Sequence, residues 1–459
     1  MNPTHFLRMA ALCLAISATA VEAKDEPGFT LQNSIGSDSL SVNGSVRLRY
    51  ESFDNNFRPT GPVAADLFTV RTSLEVEYRT GAFKIGGELR DARIYDADAS
   101  TPFGSGDVNP LEPVAAYVGL DVAKALGGVR TELTAGRFLI NLGSKRLVAD
   151  PGYRSAGNAF TGVRLDWTGK GKEALTLFYT YPQQREPDSV QDMLDNKVIW
   201  DRESSDLVFW GGFLSKPKIA GSVNAEVYFF GLDENDRPDN ATRNRHLLTP
   251  GFRLYSKPAK GKLDGELEVA HQFGNIRAST AANARRVTVS AQTFHAELGY
   301  TFAGAWSPRL VALSDYATGD HAGSASFNRF DSLFGPRRAD WGPTGIFGPL
   351  TRSNTVSVGA KFELKPSKRM DAFVEWRELW LDSATDSFSK TSVRDPAGAS
   401  GRHAGRQYQA RVRYWVLPGQ MQIDAGGAVL AKGRFLTDAP NAPATGNSVH
   451  GYLDLNFFF

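Results

Sequence analysis

The chain closes on Tyr452-Leu453-Asp454-Leu455-Asn456-Phe457-Phe458-Phe459. In an extended strand, Leu453, Leu455, Phe457 and Phe459 fall on one side, and Tyr452, Asp454, Asn456 and Phe458 on the other, because successive side chains alternate. An apolar stripe backed by a more polar one, ending on an aromatic residue, is how the closing strand of an outer-membrane β-barrel looks. A soluble β protein can end in such a strand too, so its meaning depends on the rest of the chain.

The same period of two recurs upstream. Val42, Gly44, Val46, Leu48 and Tyr50 alternate with Asn43, Ser45, Arg47, Arg49 and Glu51. Phe68 to Tyr78, Phe83 to Leu89 and Tyr408 to Val416 repeat the pattern, which is the signature of strands with one apolar face. Eighteen strands are expected, at 41–52, 66–80, 82–94, 112–123, 129–137, 159–168, 173–182, 207–215, 221–232, 246–256, 262–272, 287–301, 305–316, 353–364, 369–382, 405–416, 420–431 and 447–459. Pro250 and Pro308 fall in two of these windows and weaken them, because proline cannot donate to a ladder.

Short turns such as Thr80-Gly81, Lys257 to Lys262 and Leu417 to Gln420 alternate with long polar loops such as Phe138 to Asn158, Gln183 to Asp206 and Ala317 to Arg352. In an outer-membrane barrel, short turns face the periplasm and long loops the exterior. A sandwich has no reason to sort its loops by parity. The expected fold is therefore an all-β, antiparallel, up-and-down transmembrane barrel of about 18 strands. The loop Phe330 to Trp341 is expected to form a partly ordered cap over its pore. Aromatics such as Trp167, Tyr179, Tyr300, Phe302, Trp376 and Tyr414 suit interfacial girdles.

Composition agrees. The 459 residues are too many for one ordinary soluble domain, yet no linker divides them. A closed barrel has no solid apolar core and so escapes the limit on core size, and its water-facing interior is consistent with a mean hydropathy of −0.30. Met9 to Ala20 is a short apolar run behind His5 and Arg8, followed by Val21-Glu22-Ala23, so residues 1–23 read as a secretory signal. Residues 24–40 are then a short periplasmic segment, and 41–459 the barrel. Cys13 lies in the signal, so the exported chain has neither disulfides nor thiolate ligands. The seven histidines form no His-x-x-His array, and no Gly-x-Ser-x-Gly elbow occurs. Neither an enzyme nor a cofactor or metal site is expected. A net charge of +2 argues neither for nor against nucleic acid, and no nucleic-acid partner is expected.

The inward phase is heavily charged. It carries Arg47, Arg49, Arg71, Arg79, Lys84, Arg90, Arg164, Arg253, Arg377, Arg411 and Arg413, but also Glu51, Glu75, Glu88, Glu226, Glu266, Glu268 and Glu375. Arginine rings select anions. Cross-strand pairs could equally neutralise the wall.

Gly136-Arg137-Phe138-Leu139-Ile140-Asn141-Leu142-Gly143-Ser144-Lys145-Arg146-Leu147-Val148 resembles the Gly-Arg…Leu-Gly…Arg-Leu motif of the alginate-export family of outer-membrane porins. The following Arg154…Phe160-Thr161-Gly162-Val163-Arg164-Leu165 is similar to that family's next strand. Phe330-Asp331-Ser332-Leu333-Phe334-Gly335-Pro336 is similar to its Phe-x-x-Leu-Phe-Pro loop, with Gly335 inserted. The resemblance implies a barrel of 18 strands with an arginine-rich constriction that passes an acidic, alginate-like polysaccharide or oligosaccharide outward. Uptake of small organic anions is the alternative, as is a barrel with adhesin or enzymatic loops. Arg137, Arg146 and Arg164 match motif positions and are the first candidates for the substrate path; Arg137 and Arg146 could instead pin a loop to the wall through ion pairs. Arg71, Arg352, Arg411 and Arg413 join them by strand phase or proximity. The implied partners are outer-membrane lipid and lipopolysaccharide, the anionic polymer, and periplasmic export components, for a monomeric channel.

Overall fold

The computed structural model describes residues 30–126, 128–237 and 240–459; the secretory signal expected at 1–23 lies outside the described residues. One sheet of 18 strands contains β1 (Leu40–Asp54), β2 (Ala65–Thr80), β3 (Phe83–Tyr95), β4 (Asn109–Asp121), β5 (Arg130–Leu139), β6 (Ala159–Thr168), β7 (Ala174–Pro182), β8 (Leu207–Ala220), β9 (Val223–Glu234), β10 (His246–Tyr255), β11 (Lys262–Arg277), β12 (Arg286–Thr301), β13 (Arg309–Ala317), β14 (Thr355–Ser367), β15 (Met370–Trp380), β16 (His403–Leu417), β17 (Met421–Lys432) and β18 (Ser448–Phe458). Each pairs antiparallel with its sequence neighbour, and β18 pairs with β1, so the barrel is closed. Closure satisfies every wall strand on both sides, which is what a bilayer demands of a β structure.

The seam is formed by the sequence quoted first. Leu455 lies opposite Leu48 and Asp454 opposite Arg49, so both alternations meet in phase. The Phe459 backbone exchanges hydrogen bonds of 2.8 and 3.0 Å with Gly44. A side chain at position 44 would collide with the Phe459 ring, its Cβ lying 2.2 Å from Cε2, and this explains a glycine in an otherwise apolar stripe.

The outward stripe is exposed as a lipid-facing wall requires: Leu74, Ile85, Val118, Val163, Leu298 and Val374 are all uncovered. Near its periplasmic rim, Tyr300, Phe302 and Trp306 form part of an aromatic girdle.

All 18 expected strands occur; β8 and β11 run five residues past their expected ends, to Ala220 and Arg277, and the two proline-bearing windows resolve differently. The strand expected at 305–316 begins only at Arg309, because 302–308 is a turn closed by the Phe302 N–H to the Pro308 carbonyl. Pro250 does sit inside β10; it pairs with Phe229 on one side, and the pairing to β11 skips it on the other.

The larger difference is inside. A barrel without an apolar core was expected, yet two apolar clusters fill part of the lumen. One packs Phe138, Phe160, Phe178, Phe209 and Phe230 of the wall against Leu147, Val148 and Phe330 of the loops. The other gathers Phe53, Leu67, Leu379 and Leu430 of the wall around Trp341, Ile346 and Phe347. The cause is legible in β8 and β9: Val208-Phe209-Trp210 and Tyr228-Phe229-Phe230 are apolar on both faces, as strands are when both faces are covered.

Candidate functional site

The covering comes from two loops that fold inward between the walls. Odd-numbered strands end at the long-loop rim, so both loops enter from the extracellular side. The first spans 140–158. Arg47 donates to the Gly152 carbonyl (2.9 Å), Arg49 to the Tyr153 carbonyl, and the Tyr153 hydroxyl to Glu51 (2.8 Å). Arg49 also pairs with Asp454 across the seam. The second loop spans 318–354. Gln407 donates to the Trp341 carbonyl (2.9 Å), and Arg245 pairs with Asp331 at 2.7 Å.

The two loops are bonded to each other. Val148 and Phe334 form a parallel bridge, and Asn158 Nδ2 donates to the carbonyls of Ala149 and Phe334, each at 3.0 Å. Gly335, the inserted residue of the motif, lies against the other loop's backbone: a Cβ there would be 1.6 Å from the Arg146 carbonyl oxygen. The loop expected as a cap over the pore thus lies between the walls, paired to its neighbour.

Arg146 is buried where the loops meet the wall. Its guanidinium pairs with Glu266, with Glu268 at 2.7 Å and with Asp340 at 3.1 Å. Those carboxylates hold it well above the ordinary arginine range despite its burial. Arg352 pairs with the same Asp340 and donates to the Arg146 and Pro336 carbonyls. Arg137 joins Glu112 of β4 at 2.5 Å to Glu203 of the 183–206 loop at 3.0 Å. Arg71 faces the Arg154 carbonyl at 3.5 Å. Arg411 and Arg413 share Asp371 toward the periplasmic end of β16. Arg164 pairs with Asp166 at 2.6 Å and lies 5.1 Å from the Phe138 ring centroid. The structure therefore brings Arg146 and Arg352 together at the loop anchor and keeps the other five apart from them.

Openings lie on either side of the inserted loops, one toward the periplasm and two toward the exterior that share Ser332, Thr351 and Lys390. The periplasmic one holds about 440 Å³. There Arg79, Lys84, Arg130 and Arg164 face Glu77, Glu132 and Asp166, and all four cations are ion-paired. Of the extracellular two, one holds about 600 Å³ and sets Arg243, Arg245 and Arg329 beside Glu234 and Asp331, and the other, the basin beside the 140–158 loop, holds about 560 Å³. There Arg154, Arg185, Arg337 and Lys390 face one carboxylate, Asp188. Among the described residues, none of these four cations has a carboxylate within ion-pair distance. Arg185 is bonded to the Gly157 carbonyl and Asn158 Oδ1, and Arg337 to the Gly348 carbonyl. Burial, with Arg154 and Arg58 nearby, pushes the Arg337 guanidinium down to about 9, which leaves it charged at neutral pH. The Arg337 charge, with burial and Arg154, Arg58 and Arg185 behind it, pushes the Lys390 ammonium down to about 7. Asp107 lies near Arg154, Arg185 and Arg337, and Asp150 and Asp201 near Arg185, so these carboxylates offset the basin's positive charge only in part and leave an excess that suits an anion.

Sequence reasoning missed this extracellular set. Arg154 stood beside the motif, but Arg185, Arg337 and Lys390 come from three other loop segments and share no strand phase.

A family model for alginate export matches residues 38–449. The chain belongs to the Alginate export family. As a member of that family with a closed barrel, it is an outer-membrane channel for an anionic saccharide. Among solved structures, Pseudomonas aeruginosa OpdO is similar over 92% of this chain and 97% of its own, with a TM-score of 0.56 and 12% identity. P. aeruginosa OccK2 (OpdF) in complex with glucuronate matches 91% of this chain and 98% of its own, at TM-score 0.56 and 11% identity. P. aeruginosa OpdK with vanillate matches the same shares at TM-score 0.58 and 11% identity. At such identities the likeness shows the fold alone. Comparison with curated proteins gave no match.

Proposed function

We propose that anionic saccharides cross this Alginate export family barrel by way of the extracellular cationic basin and the periplasmic vestibule, past the edge of the paired loops. The observation that carries this is the set Arg154, Arg185, Arg337 and Lys390, which outnumbers its carboxylates and makes no direct ion pair among the described residues, in a barrel whose other lumen charges are mostly paired. In this proposal the motif arginines divide. Arg137, Arg146 and Arg352 hold loops in place, and so set the shape of the path. Arg164 lines its periplasmic end, with Arg71 beneath the basin and Arg411 and Arg413 lower on the wall. The role is passage rather than catalysis. The export signal is removed near Ala23, and the barrel works as a monomer among lipid and lipopolysaccharide, fed on its periplasmic side by export components.

Current block by a sugar acid in planar bilayers tests the division. Glucuronate, the ligand named for OccK2, is a suitable first probe. Replacing Arg154, Arg185 and Arg337 with Ala together is expected to weaken block at least tenfold, since about 1.4 kcal/mol is tenfold and charge-assisted bonds contribute more than that. Unchanged block in a protein that still inserts would refute the basin as part of the path.

A further inference from the structure

The periplasmic opening and the basin differ in more than charge. The periplasmic one is polar but internally neutralised: Glu132 alone accepts from Arg79 at 3.0 Å and Arg130 at 3.1 Å, and also pairs with Lys84. An anion arriving there must displace existing carboxylates. The extracellular basin needs no such displacement. It also offers groups that suit a sugar. Phe334 contributes ring surface, Gln183 and Gln184 amides, and Ser332 and Thr351 hydroxyls. Gln183 Oε1 and Arg185 Nε are buried polar atoms without a hydrogen-bond partner, an acceptor and a donor left open at the basin wall. The basin's residues come from extracellular loops, from Ala159 at the start of β6 and from Pro182 at the end of β7, so it opens toward the exterior. A volume of about 560 Å³ is in the range of ligand sites and suits a short oligomer rather than a single small ion.

We infer that the extracellular basin is a saturable binding site for short sugar-acid oligomers arriving from outside, giving this channel an inward capacity beside the outward one its family name states. The inference rests on the channel function proposed above and adds a side to it. A passive channel moves solute down its gradient in either direction. A binding site at the outer mouth raises occupancy, and hence inward flux, when the outside is dilute. Focused positive potential in a low-dielectric cleft raises anion on-rates by about tenfold or more.

The test is sided block of the full-length protein in planar bilayers, with a uronate disaccharide added to one compartment at a time. Orientation is scored by cleavage of a protease site placed in the exposed turn at 279–283. Block from the long-loop side is expected at a concentration about tenfold lower than from the turn side. Arg337→Ala should remove most of that difference, by raising the blocking concentration on the long-loop side more than on the turn side. Because Arg337 also holds the Gly348 carbonyl, Lys390→Met is the second variant, and it should reduce loop-side affinity severalfold. Equal block from the two sides, or stronger block from the turn side, overturns the inference while an anion-selective channel still stands. A channel that selects cations overturns the underlying function instead.

Discussion

Lys390 gives the basin a pH signature. An ammonium pushed down to about 7 is mostly neutral at pH 8 and mostly charged at pH 6. Acidification therefore adds one positive charge to the basin. Sugar-acid block is expected to strengthen about fivefold between pH 8 and pH 6, the scale of one added charge at close range in screened surroundings. Lys390→Met should flatten that dependence, and titration of block with pH checks it. Asp340 makes a different kind of residue-scale prediction. It accepts from Arg146 at 3.1 Å and pairs with Arg352, and all three are buried. Asp340→Asn leaves Arg352 without its carboxylate, and breaking a buried pair in this way costs about 3–5 kcal/mol. The expected outcome is a protein that still forms a barrel but melts earlier and shows noisier single-channel current, because the loops lose their shared anchor. Quiet channels with an unchanged melting temperature would contradict an anchoring role.

At the scale of elements, the strands were legible and the loop packing was not. Period two and loop-length parity located every strand, since one face of each meets lipid and the pattern is local. Arg146 shows why the interior was harder. Its motif placed it in the path, or on a loop pinned to the wall, and nothing local in the sequence could decide between them. The structure surrounds it with Glu266, Glu268 and Asp340, up to 194 residues away in sequence. The one local clue was the two-faced apolar run in β8 and β9, which required something inside to cover Phe209 and Phe230. The basin was hidden for a similar reason, because Arg154, Arg185, Arg337 and Lys390 are joined only by the fold. The paired loops give an element-scale prediction. Deleting 330–341 removes the partner strand of Val148 and uncovers the phenylalanine wall. Conductance is expected to rise at least twofold, because the loop occupies lumen cross-section. Unaltered conductance would mean that the loop does not limit the passage.

For the whole molecule, closure and the two faces of the wall govern stability and function separately. Val374 is exposed on the outer stripe of β15, next to the inward Glu375. Val374→Arg should destabilise the barrel in bilayers by about 2–4 kcal/mol if it lies near the midplane, read from denaturant unfolding in lipid vesicles. The same change should leave ion selectivity alone, because the side chain faces away from the lumen. Selectivity belongs to the interior, where wall charges pair with one another and the basin cations do not. The most direct test is the zero-current potential of the intact protein in a planar bilayer across a tenfold salt gradient. An anion-selective potential is expected, reduced toward zero when Arg154, Arg185 and Arg337 are replaced together by Ala. A cation-selective potential in the intact protein would contradict the cationic basin as the determinant of passage.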